Sequence, residues 1–156
     1  MVRRLTDELK QTRPFATLEE EVIVGLARTA DAMQRSMAPV LKARALSPAQ
    51  YNVLRILRGA GTAGLPCGEI SARMVTRDPD VTRLFDRLEK RGLVARSRDD
   101  RDRRVVTTRI TESGRALLVE LEEPLHATHR RLLGHLGPAR LKALADLLDL
   151  ARSASE

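Results

Sequence analysis

The sequence predicts a mainly α-helical fold with one small β-hairpin. Three observations lead there. Apolar residues recur at three- and four-residue steps along most of the 156 residues. Helix start and stop signals (Thr-x-x-Glu, Ser-Pro-x-Gln, Asp-Pro, Gly) bracket those stretches. Two short runs alone, residues 94–98 and 104–110, have the Val- and Thr-rich make-up of strands. The length suits a single domain over 1–156. A hydrophobic share of 42% excludes a disordered tail, and no apolar run approaches the ~18 residues of a membrane span. Residues 1–10 are densely charged and lack the apolar core of a secretory signal, so a cytoplasmic location is expected. Cys67 is the one cysteine, which rules out an internal disulfide and a cysteine-built zinc site.

The first long helix starts at Thr17, where Thr17 and Glu20 form a capping box and Glu19–Glu21 place acid at the positive end of the macrodipole. Ile23, Leu26, Ala30, Met33, Met37 and Leu41 then give it an apolar side. Ser47, Pro48 and Gln50 signal a second start, with Tyr51, Leu54 and Leu57 facing inward until Gly59-Ala60-Gly61. A short helix is expected over 67–74, on Ile70 and Met74. Asp78 and Pro79 read as N-cap and first-turn proline of the next helix, whose stripe is Val81, Leu84, Phe85 and Leu88. Gly92 supplies a left-handed stop, with Leu93 able to touch Leu88. A two-stranded hairpin follows, its tip the charged turn 99–103. Thr111 caps a helix carrying Leu117, Leu118, Leu121 and Leu125, which Pro124 should bend or divide. Gly137-Pro138 opens a last helix with Leu141, Leu144, Leu147, Leu148 and Leu150, more leucine than one solvent-facing helix needs, implying a partner surface.

Short helix, tight turn, longer helix and basic hairpin form the order of a winged helix-turn-helix, in which the second helix enters a major groove. The charge agrees. The net is +7, and residues 73–109 hold twelve Lys/Arg against seven Asp/Glu, a footprint suited to phosphate. Aromatics at 2% argue against single-strand binding by base stacking. If the stripe of the longer helix faces the core, the 100° step turns Pro79, Arg83, Asp86 and Lys90 outward, with Asp80, Thr82 and Arg87 beside them. Arg83 suits a bidentate pair with guanine, and Thr82 a thymine methyl or a phosphate. Asp80 suits either cytosine N4 or the orientation of Arg83. Thr76 and Arg77, in the turn before the helix, complete the proposed contacts on this side. Arg101 and Arg103 at the hairpin tip suit a minor groove. The interleaved Asp99, Asp100 and Asp102 would pair with Arg101 or Arg104 and hold the wing in one shape.

These residues carry a family resemblance. The run 78–94 (Asp-Pro-Asp-Val-Thr-Arg-Leu-Phe-Asp-Arg-Leu-Glu-Lys-Arg-Gly-Leu-Val), then Asp99-x-Arg101-x-x-Arg104, then Ile110-Thr-Glu-Ser-Gly114, closely resembles the MarR family of bacterial transcriptional regulators. Residues 47–54 resemble that family's second helix and 65–74 its third, while the outer helices agree in pattern only. The resemblance implies dimerisation helices over 17–44 and 115–153 and a winged-helix DNA-binding lobe over 47–112. It implies a homodimer on a pseudo-palindromic operator of double-stranded DNA, acting as a repressor. Release would follow when a small, frequently phenolic, effector enters a pocket between the dimer helices and the lobe; Met33, Met37 and Tyr51 are its candidate lining. Two departures stand out: Pro66-Cys67 occupies the start of the third helix, where a hydroxyl or other small cap is expected, and the peroxide-sensing branch's N-terminal cysteine has no counterpart.

Other readings compete with these. Met33, Met37 and Tyr51 also fit plain core positions, and Cys67 fits either a small packed residue or a thiol activated by a helix N-terminus. His126 and His129 are one turn apart but have no acidic or cysteine partner at ligand spacing, so neither a metal nor a cofactor is expected. The basic face could instead hold an acidic protein. An enzyme is disfavoured, since no nucleophile–His, paired-carboxylate or phosphate-loop arrangement is present.

Overall fold

The computed structural model describes residues 4–76, 80–98 and 106–153. They form two compact units that divide between Met37 and Ala38.

In the first unit a single turn, α1 (Leu5–Glu8), precedes the start of α2 (Leu18–Lys42). The Glu20 amide donates to Thr17 Oγ1 at 3.1 Å, and the Glu20 carboxylate accepts from the Ala16 amide at 2.9 Å, so the predicted cap forms with its return bond one residue early. Leu5 of α1 lies beside Gly25 of α2, where a Cβ would make an ordinary 3.6 Å contact with Leu5 Cδ2. Leu18, Val22, Ile23 and Leu26 are exposed.

The second unit begins in the last turns of α2 and continues with α3 (Pro48–Gly59), β1 (Leu65–Pro66), α4 (Cys67–Ala72), α5 (Val81–Lys90), β2 (Val94–Arg98), β3 (Val106–Ile110), α6 (Glu112–Leu133), a 3₁₀ turn (Gly134–Leu136) and α7 (Gly137–Ser153). This is a winged helix-turn-helix. Its core is Val53, Leu54 and Leu57 of α3, Ile70 of α4, Leu84, Phe85 and Leu88 of α5, Val94 and Ile110 of the sheet, and Leu118, Leu121 and Leu125 of α6. Ser47 caps α3 by the full reciprocal box, and Thr111 caps α6 by accepting from the Gly114 amide at 3.1 Å. The end of α5 is a Schellman stop: the Leu93 amide reaches the Leu88 carbonyl and the Gly92 amide the Glu89 carbonyl, with Gly92 at φ +68°.

Three expectations need correction. The sheet has three strands, not two, in the order β1-β3-β2, all antiparallel. A two-residue strand leaves no period to read, and Pro66 is tolerated because β1 lies at the edge. Gly64 permits it, since a Cβ there would stand 2.5 Å from the Thr108 carbonyl oxygen. Second, α5 starts at Val81 with Asp80 at the N-cap position, later than Asp78-Pro79 suggested; Arg77, Asp78 and Pro79 lie outside the described residues. Third, Pro124 does not divide α6, and Leu121 and Leu125 on either side are both buried. Proline removes one donor, while the Thr128 hydroxyl donates back to the Pro124 carbonyl at 3.0 Å. On α7 no residue is buried, and Leu147 and Leu150 are exposed.

Candidate nucleic-acid interface

Helix α5 sorts its residues by face as its period requires. Leu84, Phe85 and Leu88 are buried, whereas Thr82, Arg83, Asp86, Arg87 and Lys90 are exposed. The Arg83 side chain is 76% exposed, and its Nε lies 3.3 Å from the Asp80 carboxylate one turn earlier. Between the start of α3 and α5, Ser47, Gln50, Asp80, Arg83, Leu84 and Arg87 line an open cleft of about 190 Å³. Its lining holds two arginines and one carboxylate, of which Arg83 and Asp80 pair with each other.

The segment after α4 is held to α3. Asn52 of α3 accepts a hydrogen bond from the Val75 amide at 2.8 Å, and the next residue, Thr76, is exposed. After the last turn of α5, the Arg91 guanidinium donates to the carbonyls of Ala45 (2.6 Å) and Arg44 (3.0 Å). The C-terminal end of α5 is thereby held to the α2–α3 connection of its own unit.

On the hairpin side, Arg96 of β2 reaches back to α5. Its Nη2 is 2.6 Å from Asp86 Oδ1 and 2.5 Å from Glu89 Oε2, and its Nε is 2.8 Å from the same Glu89 oxygen. The Arg96 hydrogen bond holds the Glu89 carboxyl below the usual glutamate range, and Glu89 in turn raises the Arg96 guanidinium. Farther along the sheet, Arg109 of β3 donates to Ser97 Oγ (2.6 Å) and to the Thr62 carbonyl (3.1 Å).

Of the residues singled out from sequence, Thr76, Asp80, Thr82, Arg83 and Arg87 are all exposed, and the last four share the first two turns of α5 and its cap. Arg77 lies outside the described residues, as do Arg101, Arg103, Asp99 and Arg104 of the wing. Met33 and Met37 are half-buried on α2 in the first unit. Tyr51 is half-buried on α3 in the second, with the Arg55 guanidinium 5.8 Å from its ring centre. Cys67 is half-buried, its Sγ 3.7 Å from Thr108 Oγ1. Among the described residues no three His, Cys, Asp or Glu side chains converge as a metal site. Sequence reasoning missed Asn52, Arg91 and Arg96. Their partners are 23, 46 and 7 or 10 residues away, spacings that no helical or strand period marks.

Comparison with known proteins agrees with this geometry. A model of the MarR family matches residues 46–106. The MarR transcription factor of Planctomyces limnophilus is 41% identical, with a TM-score of 0.68 over 88% of this chain and 99% of that one. The uncharacterized HTH-type transcriptional regulator YfiV of Bacillus subtilis (strain 168) is 34% identical over 71% of this chain and 68% of its own. Bordetella bronchiseptica BpsR, whose DNA binding is regulated by 6-hydroxynicotinic acid, is 28% identical, with a TM-score of 0.77 over 92% of this chain and 99% of that one.

Proposed function

The chain belongs to the MarR family of DNA-binding transcriptional regulators, and from that premise we propose that it is a ligand-responsive repressor acting in the cytoplasm as a homodimer on a pseudo-palindromic operator. It is not an enzyme. Helix α5 enters the major groove with Arg83 as the principal base reader, Asp80 orienting it, and Thr82, Arg87, Thr76 and Arg77 on phosphates or base edges. Arg101 and Arg103 reach the adjacent minor groove, with Asp99 and Arg104 stiffening the wing. The lobe is 47–112, and the pairing elements lie within 17–44 and 115–153. Their exposed apolar side chains support that assignment: Leu18, Val22, Ile23 and Leu26 on α2, Leu147 and Leu150 on α7. The effector is a small hydroxylated aromatic acid, a class motivated by the 6-hydroxynicotinic acid that regulates BpsR. Repression follows from occupying promoter DNA.

One observation carries the reading: the face of α5 that bears Arg83 is open to solvent while its opposite face forms the core. The test is a mobility-shift titration on duplexes selected from random sequence by the parent protein. Arg83→Ala should weaken the selected site by about 10–100-fold, the ~1–3 kcal/mol of a bidentate guanine contact, and relax preference at one base step per half-site. Arg101→Ala should weaken binding with less change in preference. If both variants bind the selected duplex as the parent does, the interface is wrong.

A further inference from the structure

We propose that Arg96, outside the set assigned to base or phosphate contact, is a positioning residue: it ties wing strand β2 to α5 so that helix and wing meet one duplex as a single body. The inference rests on the wing contact proposed above. The tie uses both side chain and main chain, since the Arg96 amide also donates to Glu89 Oε1 at 3.2 Å while the guanidinium bridges Glu89 and Asp86. Glu89 thus receives the strand's backbone on one oxygen and its guanidinium on the other. That fixes both the distance and the rotation of β2 against the helix. The Arg96 side chain is 26% exposed, so this pairing is better shielded than the surface pairs on α2 and α7.

Leverage makes the tie matter. Arg96 lies in the middle of β2 (Val94–Arg98), so rocking of the strand against α5 would carry its outer end at Arg98, and whatever follows, out of register with the helix face. Asp86 sits on the same face of α5 as Arg83, where an unheld carboxylate would point toward phosphate. Positioning and simple charge masking therefore make opposite predictions for one substitution set. Replacing all three groups by neutral ones (Arg96→Gln, Asp86→Asn, Glu89→Gln) moves the triad from a net −1 to 0. Electrostatics alone then favours tighter DNA binding, whereas loss of positioning weakens it.

The experiment uses the full chain and a duplex selected by the parent, and measures affinity against salt, with folded fractions from thermal melts. The triple variant should bind at least about tenfold more weakly, and its log–log salt slope should fall toward that of Arg101→Ala/Arg103→Ala as wing phosphate contacts are lost. A merely structural role would lower the folded fraction and leave the slope alone. Arg96→Lys keeps the charge but engages one carboxylate at a time, and should lie between parent and triple variant. If the triple variant shows no cooperative melt, Arg96→Lys decides: a reduced slope supports the tie, parent behaviour overturns it. Parent-like binding by the triple variant, beside a weakened tip variant, overturns the tie alone. Parent-like binding by the tip variant overturns the wing contact and the tie with it.

Discussion

At the scale of single residues, the contacts that set the interface are side chains reaching across turns. Glu89 illustrates the pH consequence. Its folded-state pKa is lowered from the ordinary 4.5 by the hydrogen bond from Arg96. The stabilisation is therefore complete above that ordinary value and is lost as pH falls through the lower folded-state value. Thermal melts taken from about pH 6 down to about pH 3 should show the lobe losing stability at the acid end, and Glu89→Gln should flatten that part of the profile. Arg96 stays charged throughout that range. Gly114 is a second residue-scale case. A Cβ there would stand 2.3 Å from the Leu93 carbonyl oxygen and 2.8 Å from Ile110 Cγ1, so α6 leaves the sheet only because this position has no side chain. Gly114→Ala should cost about 2–3 kcal/mol in denaturant unfolding, because backbone rather than a flexible side chain must yield. Its presence in the Thr-Glu-Ser-Gly run was legible as a pattern, but the carbonyl that explains it comes from the far side of the hairpin.

At the scale of elements, caps and faces agree closely with sequence reading. The Ser47 box, the Thr111 cap and the Gly92 stop each use groups within five residues of one another, a range that pattern reading covers. Ser47→Ala should lower stability by about 1 kcal/mol in urea unfolding, with DNA specificity retained. Proline was the harder element to read. Pro124 removes one hydrogen bond, yet α6 continues as one helix, with buried leucines on both sides of it packed in the core. Local rules priced the lost bond and had no access to that packing. The missed strand β1 fails for a related reason: two residues pair only because β3 offers them a partner.

At the scale of the whole molecule, the described residues leave uncovered the basic, solvent-facing side of α5 and the apolar side chains of α2 and α7. The first implies steep salt dependence. Affinity for duplex DNA should fall by orders of magnitude over a severalfold rise in salt, whereas a basic face serving an acidic protein would show little preference for duplex. The second supports the proposed homodimer. Leu147→Glu together with Leu150→Glu should shift sedimentation from dimer to monomer and weaken binding to a two-half-site duplex far more than to a single half-site.

The amino-acid order by itself determined the starts of α2, α3 and α6, the end of α5, the apolar face of α5 and the exposure of Arg83 and Arg87 opposite it, because propensity, capping and periodicity act over a few neighbouring residues. Tertiary structure decided the third strand, the bond from Val75 to Asn52, the pinning of the end of α5 by Arg91, the Arg96 tie to Asp86 and Glu89, and the glycine contacts at 64 and 114. Those join groups at separations that repeat with no period, so they exist only once the core has brought distant segments together.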